Sequence, residues 1–192
     1  MTPAPRRIAI FDFDGTLVAG DSLPRFVAAC VGWPRALGTA SIAAATTLLE
    51  ADRRTAFKTL WLRLALKHHP VERMPQAVAA LQKQLRWLDR IRERLVWHKE
   101  RGDTIAVASG GLDLYLPAIL QDLGVDHLLC TEMAVADGRV TGLLKGNCVR
   151  QEKARRVAAL IAATGPYDEI WAYGNAPHDL PMMELATHKI VV

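Results

Sequence analysis

Four consecutive apolar residues, Ile8-Ala9-Ile10-Phe11, run straight into Asp12-Phe13-Asp14-Gly15-Thr16. A continuously apolar strand is covered on both faces, as a central strand of a parallel sheet is when helices flank it. Two carboxylates two residues apart start on the same side of such a strand, and the glycine behind them ends it. In open α/β sheets the ligand crevice lies at the carboxyl ends of the strands, so Asp12 and Asp14 fall where chemistry is done. Carboxylates this close repel each other unless a proton or a divalent cation shares the charge. Taken alone, Asp-x-Asp-Gly also fits a plain strand-ending turn.

From about Asp21 to Leu95 the sequence reads as helical, with no strand signal. Ala56, Leu60 and Leu64 recur at i, i+4, i+8, and Val78, Leu81, Leu85 and Leu88 keep helical spacing. Pro34, Pro70 and Pro75 mark breaks between helices. Alternation then begins. Thr104–Ala108 reads as a strand followed by Ser109-Gly110-Gly111, Leu114–Leu123 as a helix ended by Gly124, and Val125–Cys130 as a short strand. Met133–Val135 and Arg139–Thr141 flank Asp137-Gly138 as a hairpin. Glu152–Ala163 reads as a helix, Glu169–Tyr173 as a strand, Met182–Ala186 as a short helix and Lys189–Val192 as a last strand. One strand, a helical insertion and then repeated βα units predict an α/β fold, a Rossmann-like parallel sheet core with an inserted all-helical cap. The core is expected over residues 1–20 and 96–192 and the cap over 21–95, seated above the strand ends because it leaves directly after the acidic turn.

Composition narrows the partners. The chain has 192 residues, 51% apolar and 23% charged, which is ordinary for a soluble domain. Cys30, Cys130 and Cys148 form no CxxC pair, so neither a disulfide framework nor a zinc site is indicated, and reduced thiols in a cytoplasmic protein are the simplest reading. No long apolar segment precedes the first acidic residue, so no signal peptide is expected. The longest charge-free run, Ala36 to Leu49, has 14 residues, against the roughly 20 a membrane span needs. A packed helical hairpin is the favoured reading of Phe26–Leu49, with a membrane-surface helix as the alternative. Glu50 to Arg101 carries 13 Lys/Arg and 6 Asp/Glu. That excess suits a solvated helical surface or a lid that attracts anions. No nucleic-acid motif accompanies it, so no nucleic-acid partner is expected.

Further polar groups fall at matching places. Ser109 follows a strand, with Gly110 and Gly111 allowing backbone N–H groups to approach an anion. Lys153 lies in the first turn of a helix, and Asn175 and Asp179 follow the strand that ends at Tyr173. Such strand ends open onto one crevice. A carboxylate nucleophile, an acid for the leaving alcohol and positive charge around phosphoryl oxygens are the requirements of phosphoryl transfer through an aspartyl-phosphate.

These segments resemble the haloacid dehalogenase (HAD) superfamily, in its phosphoserine phosphatase-like branch with a helical cap. Asp12-Phe13-Asp14-Gly15-Thr16 is similar to its first motif and Val107-Ala108-Ser109-Gly110-Gly111 to its second. Gln151-Glu152-Lys153 is similar to the lysine motif, and Gly174-Asn175-Ala176-Pro177-His178-Asp179 to the fourth. Asp137-Gly138-Arg139-Val140-Thr141-Gly142 also resembles the hairpin of this branch.

The resemblance implies a Mg2+-dependent phosphatase acting on a small phosphorylated metabolite, phosphoserine-like. It implies that Asp12 attacks phosphorus and that Asp14 is the general acid and base. Thr16, Ser109, Gly110 and Lys153 would hold the phosphoryl group, and Asp12, the Asp14 carbonyl, Asn175 and Asp179 would hold Mg2+. Asn175 stands where the family usually has Asp, which implies weaker metal binding. Asp21 stands where phosphoserine phosphatases carry a Glu for the substrate amine, and it also suits a helix cap. Arg25, Arg54, Lys58 and Arg63 are candidate anion partners or solvated helix charges, Arg63 being the one carried forward as a substrate residue. Two further readings stay open: a lipid-phosphate phosphatase at a membrane surface, and a non-catalytic phospho-ligand module.

Overall fold

The structure, a computed structural model, describes residues 5–192; the first four residues of the expected core lie outside the described residues. β1 (Arg7–Phe11) is central, and Ile8 to Phe11 are all fully buried. Alternate residues face opposite sides of the sheet. Ile8 and Ile10 pack with Val157, Met182 and Met183, while Ala9 and Phe11 join the larger core with Leu95 and Tyr173. This two-sided burial is what the apolar run specifies.

Four helices follow, α1 (Ser22–Val31), α2 (Trp33–Thr46), α3 (Arg53–Leu66) and α4 (Met74–Gln82). The chain leaves for them and returns along one paired seam, with the Leu88 amide donating to the Leu17 carbonyl at 2.9 Å and Ala19 to Arg86 at 2.8 Å. α5 (Asp89–Glu100) then runs unbroken past Leu95, where the cap was expected to end, and buries Ile91, Leu95 and His98.

The remainder is β2 (Thr104–Leu112), α6 (Leu116–Leu120), β3 (His127–Ala136), β4 (Arg139–Gly146), α7 (Arg150–Thr164), β5 (Glu169–Gly174), α8 (Leu180–Met183) and β6 (His188–Val191). The six strands order as β4-β3-β2-β1-β5-β6. All neighbours are parallel except β3 and β4. The carboxyl ends of β1, β2 and β5 therefore lie side by side under the helical insertion.

Three expectations change. The short strand ending at Cys130 and the hairpin arm at Met133 are one ten-residue strand, β3. The polar Thr131-Glu132 pair looks like a break, but Thr131 is buried with its hydroxyl in hydrogen bonds while Glu132 faces out. β2 continues through Ser109-Gly110-Gly111, with a register shift against β3 between Ala108 and Leu112; such irregularities recur next to active sites. Finally, α6 and α8 are shorter than or offset from the helices expected there, since Pro117 and Pro181 each sit in the first turn of a short helix.

Candidate active site

The acidic turn is wound tightly after β1. The amides of Thr16, Leu17 and Val18 all donate to the Phe13 carbonyl, at 2.9 to 3.3 Å. Gly15 is in the left-handed region (φ +76°), and a Cβ there would lie 2.7 Å from the Asn175 side chain. Glycine is therefore required both by the turn and by the approach of the β5 loop.

Lys153, in the first turn of α7, spans two carboxylates. Its Nζ donates to Asp12 Oδ1 at 2.7 Å and to Asp179 Oδ1 at 2.6 Å, with all three side chains buried. Burial pushes Asp12 up to about 6, opposed by the Lys153 ammonium and reinforced by Asp179. Burial also disfavours the charge on Lys153, but the paired carboxylates outweigh it and hold the lysine above its ordinary value. The second oxygen of Asp179 accepts from the Asn175 amide at 3.0 Å.

Asp14 is held from the insertion. Its two oxygens accept from the Ser22 amide at 2.8 Å and the Ser22 hydroxyl at 3.0 Å. The Ser22 hydroxyl also meets the Tyr115 hydroxyl at 2.8 Å. Burial and then the neighbouring Asp21 charge raise Asp14 to about 7, against the lowering effect of both Ser22 hydrogen bonds. A carboxyl titrating there can carry a proton at neutral pH and release it, as a general acid must.

Asp12, Asp14, Asp21, Gly110, Lys153, Asn175 and Asp179 line one cavity of about 320 Å3. Its other walls are Leu23, Arg54, Thr55 and Lys58 from the insertion and Asn147, Val149, Arg150 and His178 from the sheet side. Arg54 reaches across the mouth to the His178 ring at 2.9 Å, and Asp52 pairs with Arg150 at 3.7 Å.

A family model described as haloacid dehalogenase-like hydrolase matches residues 9–184, nearly the whole chain. The chain belongs to that family. It is 25% identical over 189 residues to a phosphoserine phosphatase of Methanocaldococcus jannaschii, covering 96% of this chain and 84% of that protein. It is 27% identical to a phosphoserine phosphatase of Archaeoglobus fulgidus, covering 94% of this chain but only 51% of the relative's length. A substrate-bound phosphoserine phosphatase structure shares the fold, with a TM-score of 0.73 at 23% identity over 98% of this chain and 87% of that one.

A hard cation fits this haloacid dehalogenase-like hydrolase. At the cavity floor the carboxylates of Asp12 and Asp179 share one ammonium, Lys153, while Asp14 is held apart by Ser22, and the two aspartates at the acidic turn are raised in consequence of their burial. Among the described residues no three His, Cys, Asp or Glu side chains form a metal-ligand set. The oxygens beside the acidic turn are instead Asp12 Oδ2, the Asp14 carbonyl, which accepts from Asn175 Nδ2, and Asn175 Oδ1, a mixed oxygen set that Mg2+ accepts when waters complete it. The Asn175 side-chain Nδ2 donates to the Asp14 carbonyl at 2.9 Å, which puts this side chain beside that oxygen. Both oxygens of Asp179 are engaged elsewhere, so its clearest duty is to hold Lys153.

The remaining sequence candidates divide. Thr16 is fully buried and its hydroxyl lies 3.4 Å from Asp12 Oδ2, away from the cavity wall. Ser109 is buried, its Oγ accepting from the Gly111 amide at 3.0 Å. Asp21 caps α1 through Oδ1, accepting from the Leu23 amide at 3.0 Å, and also lines the cavity. Arg63 is corrected. It lies five residues after Lys58, about 140° around the helix, and lines a separate cleft with Lys67, His68, Asp137 and Arg139. Ser22, Tyr115, Thr131, Asn147 and Arg150 were not singled out as site residues from the sequence. Lys58 and Arg54, at i and i+4 on α3, had that one signal of a shared helix face.

Proposed function

We propose that the protein is a Mg2+-dependent phosphomonoester hydrolase acting on a small phosphoserine-like metabolite. The observation that carries this reading is the Lys153 ammonium bridging Asp12 and Asp179 in the same cavity as Asp14. Asp12 attacks phosphorus and forms an aspartyl-phosphate, while Asp14 protonates the leaving alkoxide and then takes a proton from the hydrolytic water. Lys153 and Ser109 hold the phosphoryl oxygens. Asp12, the Asp14 carbonyl and Asn175 would hold Mg2+, which neutralises charge between nucleophile and phosphate. The phosphoserine phosphatase relatives support a substrate with an amine and a carboxylate. Asp21 offers its second oxygen to the amine, and Arg54 and Arg150 stand at the mouth for the carboxylate. The division into core and cap is supported by the Leu17–Leu88 seam. Hydrolysis of p-nitrophenyl phosphate with Mg2+, abolished in Asp12→Asn, is the expected result. Equal release by both proteins refutes the catalytic reading and returns the site to a phospho-ligand module.

One observation favours a second reading. Leu37, Ile42, Leu48 and Leu49 are exposed, Leu49 at 97%, and Leu48 and Leu49 shortly precede Arg53 and the cavity-lining Arg54 in sequence. Apolar exposure so close in sequence to an anion site suits a lipid phosphate presented at a membrane surface. Among the described residues no helix is long and apolar enough to cross a membrane. Sedimentation with anionic vesicles, lost on Leu48→Ser/Leu49→Ser, supports this substrate class; no vesicle binding rejects it.

A further inference from the structure

We propose that Lys58 is a positioning residue that orients the Ser109 hydroxyl through the Gly110–Gly111 peptide, completing the phosphate cradle when α3 is seated on the sheet. This rests on the phosphatase reading above.

Lys58 projects from α3 into the core. Its Nζ donates to the Gly110 carbonyl at 2.7 Å, the Thr131 hydroxyl at 2.9 Å and the Asn147 Oδ1 at 2.7 Å. An ammonium has three donors, and here each has an acceptor from a different part of the core: β2, β3 and the segment before α7. Although Lys58 lines the cavity, no proton is left over for a substrate anion. Its position suits a strap better than a ligand.

The Gly110 carbonyl and the Gly111 N–H belong to one planar peptide unit. A grip on that carbonyl therefore sets the direction of the N–H, and this N–H is the one that donates to Ser109 Oγ at 3.0 Å. With one lone pair of Oγ occupied by that N–H, the Ser109 hydrogen is turned elsewhere, and in the phosphatase reading it is donated to a phosphoryl oxygen.

The segment needs an outside restraint. The β2–β3 register shifts between Ala108 and Leu112, so regular pairing does not fix the two glycines. Gly111 has no room for a stiffer residue and Gly110 little: a Cβ at Gly111 would lie 2.5 Å from the Tyr115 hydroxyl, and one at Gly110 would lie 3.1 Å from Val149. The glycines that let the backbone approach phosphate leave it loose. Lys58, with the Thr131 hydroxyl 3.0 Å from the same carbonyl, supplies the restraint from the helical insertion.

A double-mutant cycle on p-nitrophenyl phosphate hydrolysis tests this. The substrate's aryl group carries no charge for Lys58 to bind. Lys58→Met is expected to lower kcat about tenfold with KM nearly unchanged, since sub-ångström misplacement acts on the transfer step. In a Ser109→Ala background the same change is expected to cost less than about twofold, because its route is already cut. An equal fold-loss in both backgrounds, or a change confined to KM, overturns the proposal while leaving the phosphatase reading intact. No hydrolysis by the wild type, with Mg2+ present, refutes both. Circular dichroism checks folding, and Lys58→Gln, which keeps a donor, takes the place of any Lys58→Met protein that does not fold.

Discussion

Removing the Ser22 hydroxyl should damage stability and chemistry together. The hydroxyl donates to Asp14 Oδ2 at 3.0 Å and meets the Tyr115 hydroxyl at 2.8 Å, and Tyr115 is fully buried. In Ser22→Ala, Asp14 keeps only the Ser22 amide as a partner and the Tyr115 hydroxyl is orphaned. Losing a hydrogen bond to a carboxylate and stranding a buried hydroxyl together cost about 2–4 kcal/mol. For a chain of this size each kcal/mol shifts Tm by roughly 2–4 °C, so thermal unfolding should drop by roughly 5–15 °C. The lost bond favoured the ionised carboxylate, so Asp14 should rise further, moving the alkaline limb of kcat up by about one pH unit. Tyr115→Phe in the same chain removes the orphan and should return about 1 kcal/mol. The reasoning is refuted if Ser22→Ala unfolds within a degree or two of wild type, or if adding Tyr115→Phe lowers Tm further by its full single-mutant amount.

Three further outcomes follow from the same geometry. His98 is fully buried, 2.7 Å from Asp103 and 2.9 Å from the Tyr173 hydroxyl, and burial holds its pKa below the ordinary 6.5. Below about pH 6.5 the unfolded chain binds the proton more readily, so stability should fall as the solution is acidified from neutral; the slope of Tm against pH should be shallower in His98→Gln. Asn175→Asp adds a charge to the oxygen set and should lower the Mg2+ concentration for half-maximal activity by about tenfold, and an unchanged value counts against Asn175 as a ligand. Arg54→Ala should raise KM for phosphoserine about tenfold with kcat little changed, whereas Arg63→Ala should leave both near wild type. Steady-state kinetics on the two variants checks the assignment of the cavity mouth.

What could be read from the sequence was local. Asp12, Asp14, Lys153, Asn175 and Asp179 each sit at a strand end or in the first turn of a helix, and the parallel sheet topology then brings those ends together without further information. The apolar run of β1 likewise specifies its own two-sided burial. The contacts that orient these groups are long-range. Ser22 meets Tyr115 across 93 residues of sequence, and Lys58 meets Gly110 across 52. Nothing in a single chain's spacing announces such pairs. A lysine among many on a basic helix looks like a solvated charge until the acceptors around it are seen. The place of Arg63 was hidden for a related reason, since the five residues separating it from Lys58 turn it onto a different face, away from the Asp12 cavity. The length of β3 was hidden because Thr131 and Glu132 look like a polar interruption, whereas the Thr131 hydroxyl is spent inside the fold on Gly110 and Asn147.

The central claim is that Asp12 carries the phosphoryl group. Rapid acid quenching during turnover of p-nitrophenyl phosphate with Mg2+, followed by intact mass and peptide mapping, tests it most directly. The account predicts a transient single phosphoryl adduct on the peptide containing Asp12, absent from Asp12→Asn. Turnover with the adduct on another residue, such as His178, or undiminished turnover by Asp12→Asn, would contradict it.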